Sequence, residues 1–102
     1  MGVALVAAKA IQECVEEIAR ELSPDVVSIR SSPGLDWSEH PAIYFRVILS
    51  DSASRGDKLA RVTVEVARRV SDELGLASSE RIPYFRFRSQ SEQAQLNDPA
   101  WD

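Results

Sequence analysis

Four groups of side chains in this 102-residue sequence are spaced so that they could do chemistry together. The first lies in two echoing segments, Ile43-Tyr44-Phe45-Arg46 and Pro83-Tyr84-Phe85-Arg86. If each is a strand, alternation sends Phe45, Val47, Phe85 and Phe87 to one face. Tyr44, Arg46, Tyr84, Arg86 and Arg88 then share the other. Arg30 joins them if Val27 and Ile29 point inward. A sheet face with arginines and aromatics can stack bases and hold phosphates. It can equally grip a protein, since Tyr and Arg are the residues of interface hot spots. The plain alternative is a solvated face on which these side chains cover apolar backbone.

The second group is acidic. Glu13, Glu17 and Glu21 follow one another at i,i+4 on a helical stretch, a spacing at which like charges repel by about 0.2–0.5 kcal/mol per pair. Glu21 also falls near a helix C-terminus, where negative charge opposes the helix dipole. Glu16 with Arg20 is the one favourable pair in that stretch, whereas Arg68-Asp72 and Arg69-Glu73 later in the chain are spaced to neutralise themselves. A basic partner would relieve the stripe; otherwise it is a solvated face that aids solubility. The third group is Asp36-Trp37-Ser38-Glu39-His40. Two carboxylates and the only imidazole could ligate a metal or move protons. A metal site needs three or four converging ligands, and only Asp51 and Asp57 offer themselves as helpers. The competing reading is a turn in which Asp36 or Ser38 bonds the backbone and Trp37 covers the core edge. The fourth is the tail Asn97–Asp102, where Trp101 could anchor on its own domain or in a partner's pocket. Cys14, beside an apolar stripe, reads as a buried and inert thiol. No phosphate-binding glycine loop, Gly-x-Ser-x-Gly elbow or Ser-x-x-Lys motif is present. No catalytic residue, metal site or cofactor is therefore assigned.

The elements that must position these groups follow from periodicity. Ala4, Ala8, Ile11, Val15, Ile18 and Leu22 make the apolar stripe of a helix over 3–22, which Ser23-Pro24 ends. Residues 25–30 are a β-branched strand. Residues 31–41 carry Pro, Gly, Ser and Asp and read as a loop. Residues 42–50 give the strongest strand signal. Leu59, Val62, Val66, Val70 and Leu74 mark a second helix over about 55–74, with Ser54 and Asp57 spaced as a capping box. Gly75 stops that helix, and Leu76 packs back on it. Residues 83–88 form the last strand, and Ser89 with Glu92 caps a short helix over 90–96. The expectation is an α+β fold, α-β-β-α-β: a two-layer sandwich with a three-stranded sheet and two helices on one face. Residues 1–89 would form the domain, and 90–102 a short helix and tail.

Composition narrows the class. Hydrophobic residues make up 44% of the chain, too many for wholesale disorder. Twelve basic against sixteen acidic residues leave a net charge of −4, unlike a dedicated nucleic-acid coat. One cysteine excludes an internal disulfide and fits a cytoplasmic setting. No apolar run is long enough to span a membrane, and the first residues lack the basic region of a secretory signal.

The stretch from Asp36 to Ser50, DWSEHPAIYFRVILS, with YFRFRSQSEQAQLNDPAW later, resembles small uncharacterised bacterial proteins associated with HEPN-type helical partners. HEPN proteins are often RNase toxins held by a small antitoxin. The resemblance implies an antitoxin or accessory subunit of a two-gene module, and it maps no functional residue onto a position here. Three functions are thus expected, in this order. The first is a non-catalytic partner of a more basic protein, bound through Glu13, Glu17, Glu21 and Trp101 or through the arginine-aromatic face. The second is a single-strand nucleic-acid binder using Arg30, Tyr44, Arg46, Tyr84, Arg86 and Arg88. The third is a metal-dependent hydrolase built on Asp36, Glu39 and His40. Oligomeric state is left open.

Overall fold

The structure is a computed structural model that describes residues 2–76 and 81–101, with side chains from residue 8 onward. Helix α1 (Gly2–Glu21) is followed by strands β1 (Val26–Leu35) and β2 (Pro41–Leu49) and a 3-10 turn (Ser52–Ser54). Helix α2 (Gly56–Leu74), strand β3 (Ile82–Ser89), helix α3 (Gln90–Leu96) and a 3-10 turn (Pro99–Trp101) complete the order. This is the α+β class, with one mixed sheet in the order β1-β2-β3. β1 and β2 run antiparallel and are joined by a hairpin, while β2 and β3 run parallel and need the α2 crossover between them.

The strand phase agrees with the alternation in sequence. Ile43, Phe45, Val47 and Leu49 are buried on one face. α1 adds Val15 and Ile18 to that cluster and α2 adds Val66 and Val70, while Ile11, Phe85 and Phe87 pack against it from its margin. The Phe45 and Phe85 rings stack at 4.9 Å. Ala4, expected in the α1 stripe, lies outside the described side chains. Gly75 adopts a left-handed conformation, φ 62°, and its N–H bonds the Asp72 and Ser71 carbonyls to close α2. Leu76 is buried behind it. The Ser89–Glu92 capping box is formed in both directions. Among the described residues no helix is long and apolar enough to cross a membrane.

Three local expectations are corrected. Ser54 does not cap α2: the helix starts after an extended Arg55, and the Ser54 hydroxyl bonds the Ser50 carbonyl instead. Residues 31–35 are strand, not loop, so β1 runs through Pro33 and Gly34. Pro33 is tolerated because β1 is an edge, where a missing N–H breaks no ladder bond. Gly34 lies against the Tyr44 ring, and a Cβ added there would meet its nearest carbon at an ordinary contact distance of 3.5 Å. Finally, Val27 is exposed, because the pairing slips between Val26 and Ser28 and turns Val26 inward in its place.

Candidate functional site

The outer face of the sheet carries the candidate site. Register sets Arg30 opposite Arg46, and Arg46 opposite Arg86. Arg46 lies between the buried Phe45 and Val47, so its side chain leaves from the face opposite the core. The register puts Arg30 and Arg86 on that face with it. Adjacent strands are about 4.8 Å apart, so three guanidinium stems rise side by side across roughly 10 Å. None of the three has a hydrogen bond or ion pair among the described residues. Arg20, Lys58, Arg68 and Arg69 are by contrast all paired with carboxylates. Like charges directly opposite on neighbouring strands destabilise a sheet, so an unpaired row of three is a local cost that no described residue offsets.

One row towards the hairpin, Tyr44 and Tyr84 face each other with ring centroids 5.4 Å apart and 19° between planes. Their hydroxyls are committed. Tyr44 Oη donates to the Leu35 carbonyl at 2.8 Å, and Tyr84 Oη to Asp36 Oδ2 at 3.1 Å. Asp36 is the hub of the hairpin. Its Oδ1 accepts from the Ser38 N–H, the Ser38 hydroxyl and the His40 N–H at 2.8–3.0 Å. Burial opposes ionisation of this carboxyl, but the bonds from His40, Ser38 and Tyr84 outweigh it and hold the pKa down at about 2. Burial and the same Asp36 contact push the Tyr84 phenol up. A shallow hollow of about 210 Å³ opens between Tyr44, Arg46 and Arg86, large enough for a carboxylate or a few waters.

On the other side of the arginine row, the tail returns to the sheet. Arg88 lies 4.2 Å above the Trp101 ring, donates to Gln93 Oε1 at 2.9 Å and approaches Asp98 at 4.0 Å. Trp101 is 5% exposed. It docks on its own domain rather than reaching for a partner, and it withdraws Arg88 from the open face. The positive row is therefore bounded along the strands by Asp98 at one end and by Asp36 and Glu39 at the other.

Of the remaining expected residues, some are placed differently from the sequence reading, while Asp36 bonds the backbone of a turn as that reading allowed. The α1 glutamates are not an uncompensated stripe: Glu17 pairs with Arg20, and Glu21 with Arg69 of α2, which also meets Glu73 at 3.4 Å. Of the three, Glu13 alone lacks an ion pair among the described residues. Asp36, Glu39 and His40 form a turn: Glu39 takes the left-handed φ of 67°, and His40 Nδ1 sits 2.7 Å from the Ser38 hydroxyl. Among the described residues no three His, Cys, Asp or Glu side chains gather as a ligand set. Asp51, the possible helper, holds the Ser91 N–H and hydroxyl at the start of α3. Cys14 is partly buried, with its pKa raised first by that burial and then by Glu73. Trp37 does not cover the core edge; it stands 93% exposed at the hairpin tip. The Asp36 turn was legible in the sequence, but not the direction in which it carries Trp37. No family model matches this chain, and no curated protein or solved structure is significantly similar to it.

Proposed function

We propose that this chain is a non-catalytic binding module whose outer sheet face grips an acidic segment of a partner protein. The unpaired row Arg30–Arg46–Arg86 carries the reading. Guanidinium groups bind carboxylates through paired N–H donors, and Arg and Tyr are favoured at the energetic centre of interfaces. The expected basic partner is replaced by an acidic one, because Glu17 and Glu21 already have internal counter-charges while the arginines have none among the described residues. The patch is also short. A phosphate backbone running along the strands would meet Asp98 or Asp36 and Glu39 within a few residues, whereas two or three carboxylates fit the row. The resemblance to antitoxin-like proteins supports reading the partner as the companion protein of a two-gene module. The single-cysteine composition supports a cytoplasmic setting.

The test is a titration of the ¹⁵N-labelled protein with short poly-glutamate and, separately, with oligo-uridine. Saturable shifts at Arg30, Arg46 and Arg86 with poly-glutamate, lost in Arg46→Glu, are expected. Shifts with oligo-uridine alone, falling steeply with salt, would transfer the face to nucleic-acid binding. No shift with either leaves an ordinary solvated sheet face and ends the proposal.

A further inference from the structure

The two edges of the sheet are treated differently. On β1 the free edge is closed by α1. The Gln12 side-chain amide lies along it, with Nε2 donating to the Ile29 carbonyl at 3.1 Å and Oε1 accepting the Ser31 N–H at 2.7 Å. Those are the two bonds that a neighbouring strand would make to residues i and i+2. Pro33, two residues further, points its backbone the same way and has no N–H to offer. Edges guarded in this way do not recruit further strands.

β3 has no side chain laid along its edge, although Pro83 withholds one N–H there as Pro33 does on β1. From Ile82 to Arg88 its backbone has no hydrogen-bond partner other than β2 among the described residues. The inner face is also unfinished there. Phe45 on the central strand is fully buried, yet Phe85 and Phe87 on β3 are only partly so. Beside Phe87, a groove of about 520 Å³ runs against Leu59 and Thr63 of α2. On the outer face the arginine row stops at Arg86, with its next cross-strand place empty.

We infer that β3 accepts a fourth strand, an extended segment of the acidic partner with a carboxylate across from Arg86 and apolar side chains alternating onto Phe85 and Phe87. The inference rests on the acidic-partner reading for the charge, and on the open edge for the extended backbone. Strand addition of this kind draws affinity from main-chain bonds and specificity from alternate side chains. A carboxylate opposite Arg86 extends the row with the opposite sign, a favourable cross-strand pair. A second copy of this chain is the poorer occupant, because pairing β3 with itself brings two sets of arginines onto one face.

The experiment uses capped seven-residue peptides added to the full chain. One alternates Glu and Val, a second holds the same residues as a block of Glu followed by a block of Val, and a third is the alternating peptide N-methylated at every other residue. Binding is read by fluorescence anisotropy, and amide exchange by NMR. The alternating peptide is expected to slow exchange of amides in β3. N-methylation, which removes several main-chain bonds, is expected to weaken binding about tenfold or more. Arg86→Gln should weaken the alternating peptide severalfold without unfolding the domain, as the retained exchange pattern of β2 would show. If the alternating and block peptides bind alike and β3 stays unprotected, the strand inference is overturned while the acidic-partner reading stands. If neither binds, both fall. Protection of β3 unaffected by Arg86→Gln would overturn the carboxylate pairing that the inference requires.

Discussion

Arg46→Gln should make the free protein more stable while weakening its grip on a polyanion. Arg46 is the middle of the row, with Arg30 on one side and Arg86 on the other. Two guanidinium groups about 7 Å apart repel by about 0.6 kcal/mol in water, and by about half of that at 0.1 M salt. Removing the central charge deletes both repulsions, so the gain is about 0.6 kcal/mol at 0.1 M salt, or roughly 2–5 °C in melting temperature for a domain of this size. Arg30→Gln and Arg86→Gln each delete one neighbour repulsion and should give about half as much. Loss of the Arg46 stem, which is half-buried, shifts stability equally at low and high salt. The difference between melts at 20 mM and 1 M salt therefore isolates the charge. The gain should be largest at 20 mM and vanish at 1 M, where screening reaches only about 3 Å. A loss of more than about 1 kcal/mol at low salt, recovering at high salt, would refute the reasoning, because it would mean that Arg46 is paired within the fold.

Other outcomes follow from the same geometry. Glu21→Gln breaks the pair with Arg69 and should lower stability by up to about 1 kcal/mol, whereas Glu13→Gln should leave it unchanged in the same urea titration. Asp36 ionises at about 2 against a usual 3.8. A depressed carboxyl contributes stability that is fully present above its unfolded pKa and is lost as pH falls through its folded one. An acid titration of the hairpin amides should accordingly show loosening between about pH 4 and pH 2, and Asp36→Asn should remove that step. Phe45→Ala, at a fully buried position, should cost about 3–5 kcal/mol in denaturant unfolding, enough to unfold much of a marginal domain. Trp37→Ala should change stability by less than about 0.5 kcal/mol, since its ring touches little of the fold.

Much of this fold is legible in the order of residues, because the relevant physics acts within one helical turn or one strand repeat. The 3.6-residue spacing of Ile11, Val15 and Ile18 marks the buried side of α1, and alternation in 43–49 sorts Phe45 from Arg46. Ser89 with Glu92, and Gly75 with Leu76, announce their caps, because each bond spans only a few residues. Arg46 and Arg86 could be named from alternation alone, and Arg30 only on a condition that Ile29 meets and Val27 does not. What alternation cannot supply is register. Only the antiparallel hairpin and the parallel return through α2 set Arg30, Arg46 and Arg86 shoulder to shoulder. The same distance in sequence hid the contacts that reassign other candidates. Glu21 meets Arg69 forty-eight residues away, Tyr84 meets Asp36 at the same separation, and Gln12 closes the edge at Ile29 and Ser31. Arg88 looked equivalent to Arg86 until the chain folded Trp101 back over it. Local patterning thus determined the faces of the regular helix and strand stretches, though not those of Val27 at the β1 slip or Trp37 in the turn, while long-range pairing decided which charges are satisfied and which remain open, because a counter-charge is found in space and not in sequence.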